Sequence, residues 1–324
     1  MPVLIGSYAD QISFFDDDFK PSAPPIRASS PSYLAASADG GVIYTVAELD
    51  EGHVAAFRLD GTPLGSLPTG GASPCHLAVA GGFVLSANYQ GGSVSVFALD
   101  AGGGLASRTD LVQHTGSSVN PDRQSAPHAH QVTVRDSRDP RDSMVYVVDL
   151  GLDEIVHYRL TSSGVLERQR ATSVTPLGSG PRHLVLHPDG RVFVANELTS
   201  TVAVLDRGFE VLDVQPSVLV PPAGDNFPSE LLLSADGTRL YVANRGNDTI
   251  TTFAVTAGGL SPLDEVSTGG TWPRHFALLD GALAVANQHS DTVTLLELDP
   301  ATGVPQPGRT VLEHPSPSMV LHLR

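Results

Sequence analysis

The 324-residue sequence is poor in cysteine and in positive charge, and it contains no long apolar run. Its only cysteine, Cys75, excludes an internal disulfide framework, and a lone thiol is typical of a reducing compartment. Because 35 Asp and Glu outnumber 19 Lys and Arg, the chain lacks the basic surplus that nucleic-acid phosphates require. No stretch approaches the roughly 18 apolar residues of a membrane span, and the first residues show no signal-peptide pattern. We therefore expect a cytoplasmic protein that binds neither nucleic acid nor membrane.

Glycine and proline, in contrast, are abundant, with 32 and 25 copies. These residues interrupt helices, so their number excludes a coiled coil or a helical bundle. Hydrophobic residues make up 41% of the chain, which is enough for a large core. Two domains or one large β domain are both compatible with the length.

A short motif, a proline that leads into an apolar run, recurs seven times. Its copies begin at Pro31, Pro74, Pro127, Pro181, Pro228, Pro273 and Pro317. Neighbouring copies are 43 to 54 residues apart, and 38 residues lead from the last copy through the chain ends to the first. Two further apolar runs follow each copy, mostly with Asp-Gly or other Gly-rich turns typical of hairpins, and a weaker fourth strand completes the unit. Propeller blades repeat at about 40 to 50 residues with four strands each.

The sequence therefore predicts a single domain, residues 1–324, with an all-β fold: a seven-bladed β-propeller of four-stranded antiparallel blades. In the seventh blade a C-terminal inner strand, residues 318–323, is expected to pair with N-terminal strands that start at Val3 and Ile12. Closing the ring in this way removes the exposed edges that an open propeller would present. Two β-sandwiches are the alternative, which leaves the ring-like spacing unexplained.

Equivalent positions of the blades form rings around a central channel, so departures from the repeat mark candidate functional residues. At the position after the proline, most copies carry a small residue, but blades 3, 4 and 6 carry His128, Arg182 and Arg274. Two positions further on, His130 alone interrupts an otherwise apolar column.

Two more columns follow the second strand. The first is polar in all seven copies and is interpreted as structural: Ser7, Glu48, Asn88, Asp149, Asn196, Asn244 and Asn287. The next is read as Tyr8, Leu49, Tyr89, Leu150, Glu197, Arg245 and Gln288. Here Glu197 and Arg245 replace bulky, mostly apolar residues in adjacent blades, and a plain ion pair between blades is the alternative interpretation.

All six departures fall in blades 3 to 6, which predicts a cationic pocket at one mouth of the channel. Arginine forks are suited to carboxylate or phosphate, so we expect a small anionic substrate. Residues 114–125, the insertion before blade 3, are expected to cover this mouth, and His114 and Gln124 are therefore further candidates for substrate binding. His76, His183 and His275 recur at equivalent positions and are interpreted as packing residues, and Cys75 is expected to lie away from the cluster.

His128 and His130 are spaced so that a regular strand would point both to one face. Such a pair could bind a metal, transfer protons near neutral pH, or only form hydrogen bonds in the channel. Since the basic neighbours oppose a cation, we favour a site without metal or cofactor in which one histidine transfers protons.

Six motifs occur in a characteristic order along essentially the whole chain. They are APHAHQV at 126–132, VDLGLD at 148–153, GPRH at 180–183, ANEL at 195–198, ANRG at 243–246 and WPRHF at 272–276. In this order they resemble the seven-bladed propeller lactonases, which include propeller-type 6-phosphogluconolactonases and fungal carboxy-cis,cis-muconate cyclases. The resemblance implies a metal-independent site whose catalytic residues are His130 (or His128), Glu197, Arg182 and Arg245, with Arg274 added from the WPRHF motif.

We therefore expect a carboxylic-ester hydrolase that converts a sugar-acid lactone, in the first place 6-phosphogluconolactone, to the acid. The arginines would bind the anionic group and stabilise the oxyanion, while His130 or Glu197 takes a proton from water and the other returns one to the ring oxygen. The alternatives are a muconate-type cycloisomerase and a non-catalytic binding platform, for which no rim patch is evident. A monomer or weak homodimer is expected.

Overall fold

The computed structural model describes residues 2–135 and 143–323, which form seven four-stranded antiparallel sheets. Blade 1 consists of β4 Leu34–Ala36, β5 Val42–Ala47, β6 His53–Arg58 and β7 Pro63–Pro68. Blade 2 consists of β8 Pro74–Ala80, β9 Phe83–Asn88, β10 Ser93–Leu99 and β11 Leu105–Gln113. Blade 3 consists of β12 Ala129–Arg135, β13 Met144–Asp149, β14 Glu154–Leu160 and β15 Leu166–Ser173. Blade 4 consists of β16 Pro181–Leu186, β17 Val192–Asn196, β18 Thr201–Leu205 and β19 Val211–Pro216.

The remaining three blades follow the same plan. Blade 5 consists of β20 Phe227–Leu233, β21 Arg239–Arg245, β22 Thr249–Thr256 and β23 Gly259–Ser267. Blade 6 consists of β24 Pro273–Leu279, β25 Ala282–Asn287, β26 Thr292–Glu297 and β27 Arg309–Glu313. Blade 7 consists of β28 Pro317–His322, β1 Val3–Ser7, β2 Gln11–Phe15 and β3 Pro21–Arg27.

Blade 7 is built from both ends of the chain, as predicted. The inner strand β28 pairs antiparallel with β1, with Val320 opposite Ile5. The all-β seven-bladed propeller is thereby confirmed, and its ring is closed by main-chain hydrogen bonds. Among the described residues there is no helix with the length and apolar character needed to cross a membrane.

The apolar core lies between the blades. Seven clusters of buried side chains occur in the described residues, and each joins two neighbouring blades. One of them packs Tyr44 and Val46 of blade 1 against Val84 and Phe97 of blade 2. Middle strands such as β17 are therefore buried on both faces, which explains their continuous apolar runs, whereas the outermost strands are largely exposed.

The strand register corrects two of the predicted columns. In blade 3, Ala129 pairs with Asp149 as Pro181 pairs with Asn196 in blade 4, so His130 is the equivalent of Arg182. The predicted column, which put His128 at this position, is wrong by two residues because alanine replaces the marker proline in blade 3.

In blade 1, Leu34 pairs with Thr45 as Leu77 pairs with Ser86 in blade 2. Glu48, and not the exposed Leu49, is therefore the equivalent of Glu197. The prediction failed by one residue because the turn from β5 to β6 is one residue longer than its counterpart in blade 2.

Candidate active site

A β-bulge near the start of the inner strands directs side chains into the channel. In five blades, one extra residue lies between two pairs of the inner ladder: Cys75, His130, Arg182, Arg274 and Ser318. Such a residue is left out of the ladder, so it can turn away from the faces that pack against neighbouring blades. The register thus explains why these positions tolerate charged residues in a fold with buried strands.

A second ring follows the second strand of each blade and adds Tyr8, Glu48, Tyr89, Glu197 and Arg245. The two rings enclose a pocket of about 260 Å³, here called the mouth pocket. It is lined by Tyr8, Glu48, Ser73, Cys75, Tyr89, Gln90, Arg123, His130, Glu197, Arg245 and Arg274.

Glu197 lies among three arginines. Its Oε1 accepts a hydrogen bond from Arg123 Nη2 at 2.7 Å, and its Oε2 accepts one from Arg245 Nη2 at 2.7 Å. Arg182 Nε lies 3.3 Å from the same Oε2. Although burial raises the pKa of Glu197, the three guanidinium groups lower it to about 2. The carboxylate therefore remains ionised and both of its oxygens are engaged.

Arg182 is only 2% exposed, and its Nη1 is buried without a hydrogen-bond partner among the described residues. Burial, together with Arg245 and Arg274, lowers the pKa of Arg182 to about 9, so the group remains charged at neutral pH. A buried cationic donor without an acceptor costs free energy unless an anion or a polar ligand binds to it. Arg182 therefore marks where a ligand oxygen would be stabilised.

On the opposite wall, Glu48 is held by a second set of partners. Its Oε2 accepts hydrogen bonds from Ser32 Oγ at 2.5 Å and from Tyr8 Oη at 2.9 Å. Arg274 Nη2 lies 3.6 Å from its Oε1, and the Arg274 guanidinium lies 5.1 Å from the centre of the Tyr8 ring. The sequence analysis treated Glu48 as structural and missed Tyr8, because ring membership depends on strand register.

His130 points into the mouth pocket beside Cys75, with Nδ1 3.9 Å from Sγ. Burial, reinforced by Arg182, holds the pKa of His130 well below its ordinary value, so the imidazole is neutral at neutral pH. Burial raises the pKa of the Cys75 thiol, which therefore stays protonated. The prediction that Cys75 lies away from the cluster is wrong, since the bulge of blade 2 brings it to the pocket wall.

The other predicted substrate-binding residues do not line the mouth pocket. His128 stacks on the Tyr89 ring at 4.6 Å, with Nδ1 3.0 Å from the Tyr89 carbonyl oxygen. His130, which lines the pocket, meets the same ring edge-on at 5.3 Å. His128 precedes β12 and a bulge follows, which is why the expectation of one shared face fails. No group of three or more His, Cys, Asp or Glu in the described residues is arranged to hold a metal ion.

His114, the first residue of the insertion, is buried, with Nδ1 2.6 Å from Asp149 Oδ2 and Nε2 2.8 Å from Tyr158 Oη. Gln124 donates a hydrogen bond to the Leu150 carbonyl at 2.8 Å. The insertion reaches the mouth pocket through Arg123 instead, which the sequence analysis did not select. The sequence did contain a signal for Arg123, because it is a basic residue in the insertion that was predicted to cover an anion-binding site.

Beneath the mouth pocket, a third ring closes the channel with Tyr33, His76, His183, Glu230 and His275. Glu230 Oε2 lies 3.0 Å from His183 Nδ1 and 3.3 Å from His275 Nε2. The Tyr33 and His76 rings are 4.1 Å apart. Between this ring and the mouth pocket a space of about 10 Å³, here called the inner niche, is lined among others by Ser32, Glu48, Cys75, Arg182 and Arg274.

The charge of the site opposes that of the molecule. The chain as a whole carries a net charge of −16. Around the mouth pocket, however, four guanidinium groups face two carboxylates, a formal surplus of two positive charges. Guanidinium groups in a partly desolvated site are well suited to carboxylate or phosphate.

Comparison with known proteins agrees with this arrangement. A family model described as "Lactonase, 7-bladed beta-propeller" matches residues 7–322. A 6-phosphogluconolactonase of Bacillus subtilis is 34% identical over 302 residues, covering 87% of this chain and 84% of the relative. The crystal structure of a Lactobacillus plantarum protein is 31% identical with a TM-score of 0.90, covering 100% of both chains. A periplasmic gluconolactonase of Pseudomonas aeruginosa is 29% identical with a TM-score of 0.85, covering 99% of this chain and 98% of its own. The chain therefore belongs to the seven-bladed β-propeller lactonase family.

Proposed function

We propose that this protein hydrolyses a sugar-acid lactone that carries an anionic group, with 6-phosphogluconolactone as the substrate and 6-phosphogluconate as the product. The observation that carries the proposal is the buried Arg182 Nη1, which has no acceptor among the described residues and lies within a cluster of four arginines. The family membership supports the reaction class.

The phosphate is the part of the substrate that best explains the charge. A phosphate dianion would balance the formal surplus of two positive charges around the mouth pocket, whereas an uncharged sugar lactone would leave it. At an effective dielectric constant near 20, one charge pair at about 4 Å contributes about 4 kcal/mol before desolvation costs. A few such pairs are sufficient to bind a small anion to an acidic protein.

Electrostatic stabilisation of the oxyanion is the main catalytic contribution in this proposal. Water adds to the lactone carbonyl, and the negative charge that develops on its oxygen is met by a guanidinium already in place. Removing one such donor typically lowers kcat by about 10² to 10³. Glu197 would keep the arginines oriented, because its two oxygens are committed to them and its pKa of about 2 makes it a weak proton acceptor.

His130 would orient the lactone, since it lines the mouth pocket in which the lactone is held. A neutral imidazole has one ring nitrogen free to accept a hydrogen bond, here from a hydroxyl group of the lactone. Burial, reinforced by the arginines around His130, keeps the pKa low and the imidazole in this form. A cationic imidazole could not accept that hydrogen bond.

The test is the formation of 6-phosphogluconate from freshly generated 6-phosphogluconolactone, measured above spontaneous hydrolysis with and without EDTA. We expect turnover that resists the chelator and that falls by about 10² or more in Arg182→Ala. Arg309→Ala is the matched control, since Arg309 lies on the outermost strand of blade 6 and is exposed.

Two outcomes would count against the proposal. No acceleration by the wild-type protein would overturn it. Equal kcat/KM for 6-phosphogluconolactone and for unphosphorylated gluconolactone would leave a lactonase but overturn the assignment of the arginines to the phosphate.

A further inference from the structure

We infer that Glu48 is a catalytic residue of this site, the carboxylate that takes the proton from the attacking water. The inference rests on the lactonase function proposed above and assigns the proton transfer to the wall opposite Glu197. It follows from the partners of the two carboxylates and from the space beside Glu48.

The hydrogen bonds of Glu48 fix the carboxylate but leave one oxygen available. Ser32 and Tyr8 both donate to Oε2, which holds the carboxylate in one orientation. The other oxygen, Oε1, lies 3.6 Å from Arg274 Nη2, a distance longer than a hydrogen bond. Oε1 can therefore accept a hydrogen bond from water without losing an existing one.

Glu197 does not offer such an oxygen. Arg123 occupies its Oε1, and Arg245 occupies its Oε2 with Arg182 close by. A general base acts best when its own proton affinity matches the operating pH, and three guanidinium groups work against that in Glu197. Of the two carboxylates that line the mouth pocket, Glu48 is thus the one whose partners permit proton transfer.

The inner niche gives the water a place beside this oxygen. Its free volume of about 10 Å³ is at the lower limit of the space that can hold one water molecule. Glu48, Cys75 and Arg274 line both the inner niche and the mouth pocket, so the two spaces adjoin. Arg182 also lines the inner niche and carries the buried donor without an acceptor. A water here would donate to Glu48 and accept from a guanidinium, beneath a lactone held in the mouth pocket.

The proton balance of the reaction is then complete. The water oxygen forms a bond to the carbonyl carbon while one of its protons passes to Glu48 Oε1, and the carbonyl electron pair moves onto the oxygen facing the arginines. When the tetrahedral intermediate collapses, the bond from the acyl carbon to the ring oxygen breaks, and Glu48 returns the proton to that oxygen. The resulting carboxylic acid releases its proton to solvent, so Glu48 ends ionised as it began.

The experiment compares Glu48→Gln with Glu297→Gln, a matched loss of one carboxylate at an exposed position on β26. Steady-state kcat and KM are measured for 6-phosphogluconolactone. We expect Glu48→Gln to lower kcat by about 10² or more with KM within about threefold, as is typical for removal of a general base, and Glu297→Gln to behave like the wild type. Added formate, a small carboxylate, should restore part of the activity of Glu48→Ala, which a purely structural role would not allow.

Glu48→Asp is the second variant, in case the glutamine variant unfolds. It keeps the charge but withdraws the oxygens by one methylene, and we expect a loss of kcat of about tenfold or more. Full activity of a folded Glu48→Gln or Glu48→Asp would overturn the inference while leaving the lactonase proposal intact. An inactive wild type would overturn both.

Discussion

Replacing Glu197 by glutamine should lower the free energy of unfolding by about 3 kcal/mol at neutral pH. The magnitude follows from the pKa of Glu197, which is about 2 in the folded protein against an ordinary value of 4.5. This difference means that the folded protein stabilises ionised Glu197 over protonated Glu197 by about 3 kcal/mol. Because glutamine resembles the protonated form, Glu197→Gln should lose this stabilisation. The side chain is 7% exposed, so solvent screens the interaction with the arginines only weakly.

The sign of the pH dependence gives a second, stricter test. Since the folded-state pKa is depressed, the stabilisation is fully present above pH 4.5 and is lost as the pH falls toward 2. The difference between wild type and Glu197→Gln should therefore shrink from about 3 kcal/mol at pH 7 to about 1.4 kcal/mol at pH 3. Glu297→Gln, at an exposed position, should differ from wild type by less than about 0.5 kcal/mol at both values.

Urea unfolding followed by circular dichroism at the two pH values measures these differences. The same unfolding experiment is repeated with inorganic phosphate. A pocket with one carboxylate fewer attracts an anion more strongly, and an anion that binds the folded state raises stability. Phosphate should therefore stabilise Glu197→Gln more than the wild type. The reasoning is refuted if Glu197→Gln unfolds within about 0.5 kcal/mol of the wild type at pH 7. That result would mean that the guanidinium groups find equivalent partners in solvent.

Three further predictions concern other groups of the site. Burial lowers the pKa of His275 to about 4, so the unfolded chain takes up a proton there that the folded protein does not; His275→Gln should therefore reduce the loss of stability between pH 8 and pH 5 by about 2 kcal/mol relative to the wild type. Trp272, the only tryptophan, lies 5.3 Å from the Arg245 guanidinium, so titration with 6-phosphogluconate should change its fluorescence in wild type but not in Arg245→Ala. Because burial keeps the Cys75 thiol protonated, a thiol reagent at pH 8 should modify it at least about tenfold faster in urea than in the native protein; equal rates would contradict the described burial.

The fold could be predicted from the sequence because the information is local and repeated. Seven proline-led strands with hairpin turns define blades by themselves, and their ring-like spacing identifies the closing blade. Arg182, Arg245, Arg274 and Glu197 were selected for the same reason, since each departs from the small or apolar residues that most other blades carry at the equivalent position.

The other residues of the site depend on features that an alignment of the seven sequence repeats does not show. Glu48 belongs to the second ring because the turn from β5 to β6 is one residue longer than in blade 2. His130 is the bulged residue of blade 3 because Ala129, and not a proline, occupies the position before the bulge. Arg123 comes from an insertion that has no counterpart in other blades, so no repeat could assign it. Register and loop path are set by tertiary contacts, which is why these residues were misplaced or missed.

The bulged residues of five inner strands separate two roles that a β-strand usually combines, main-chain pairing and the presentation of functional side chains. The neighbours of each bulged residue carry the ladder and the packing between blades, so the extra residue itself is left out of both. Ser318 occupies the same bulged position as Arg182 and Arg274. Substrate preference can therefore change, by evolution or by design, through single residues at these positions while the main-chain ladder and the packing between blades stay the same.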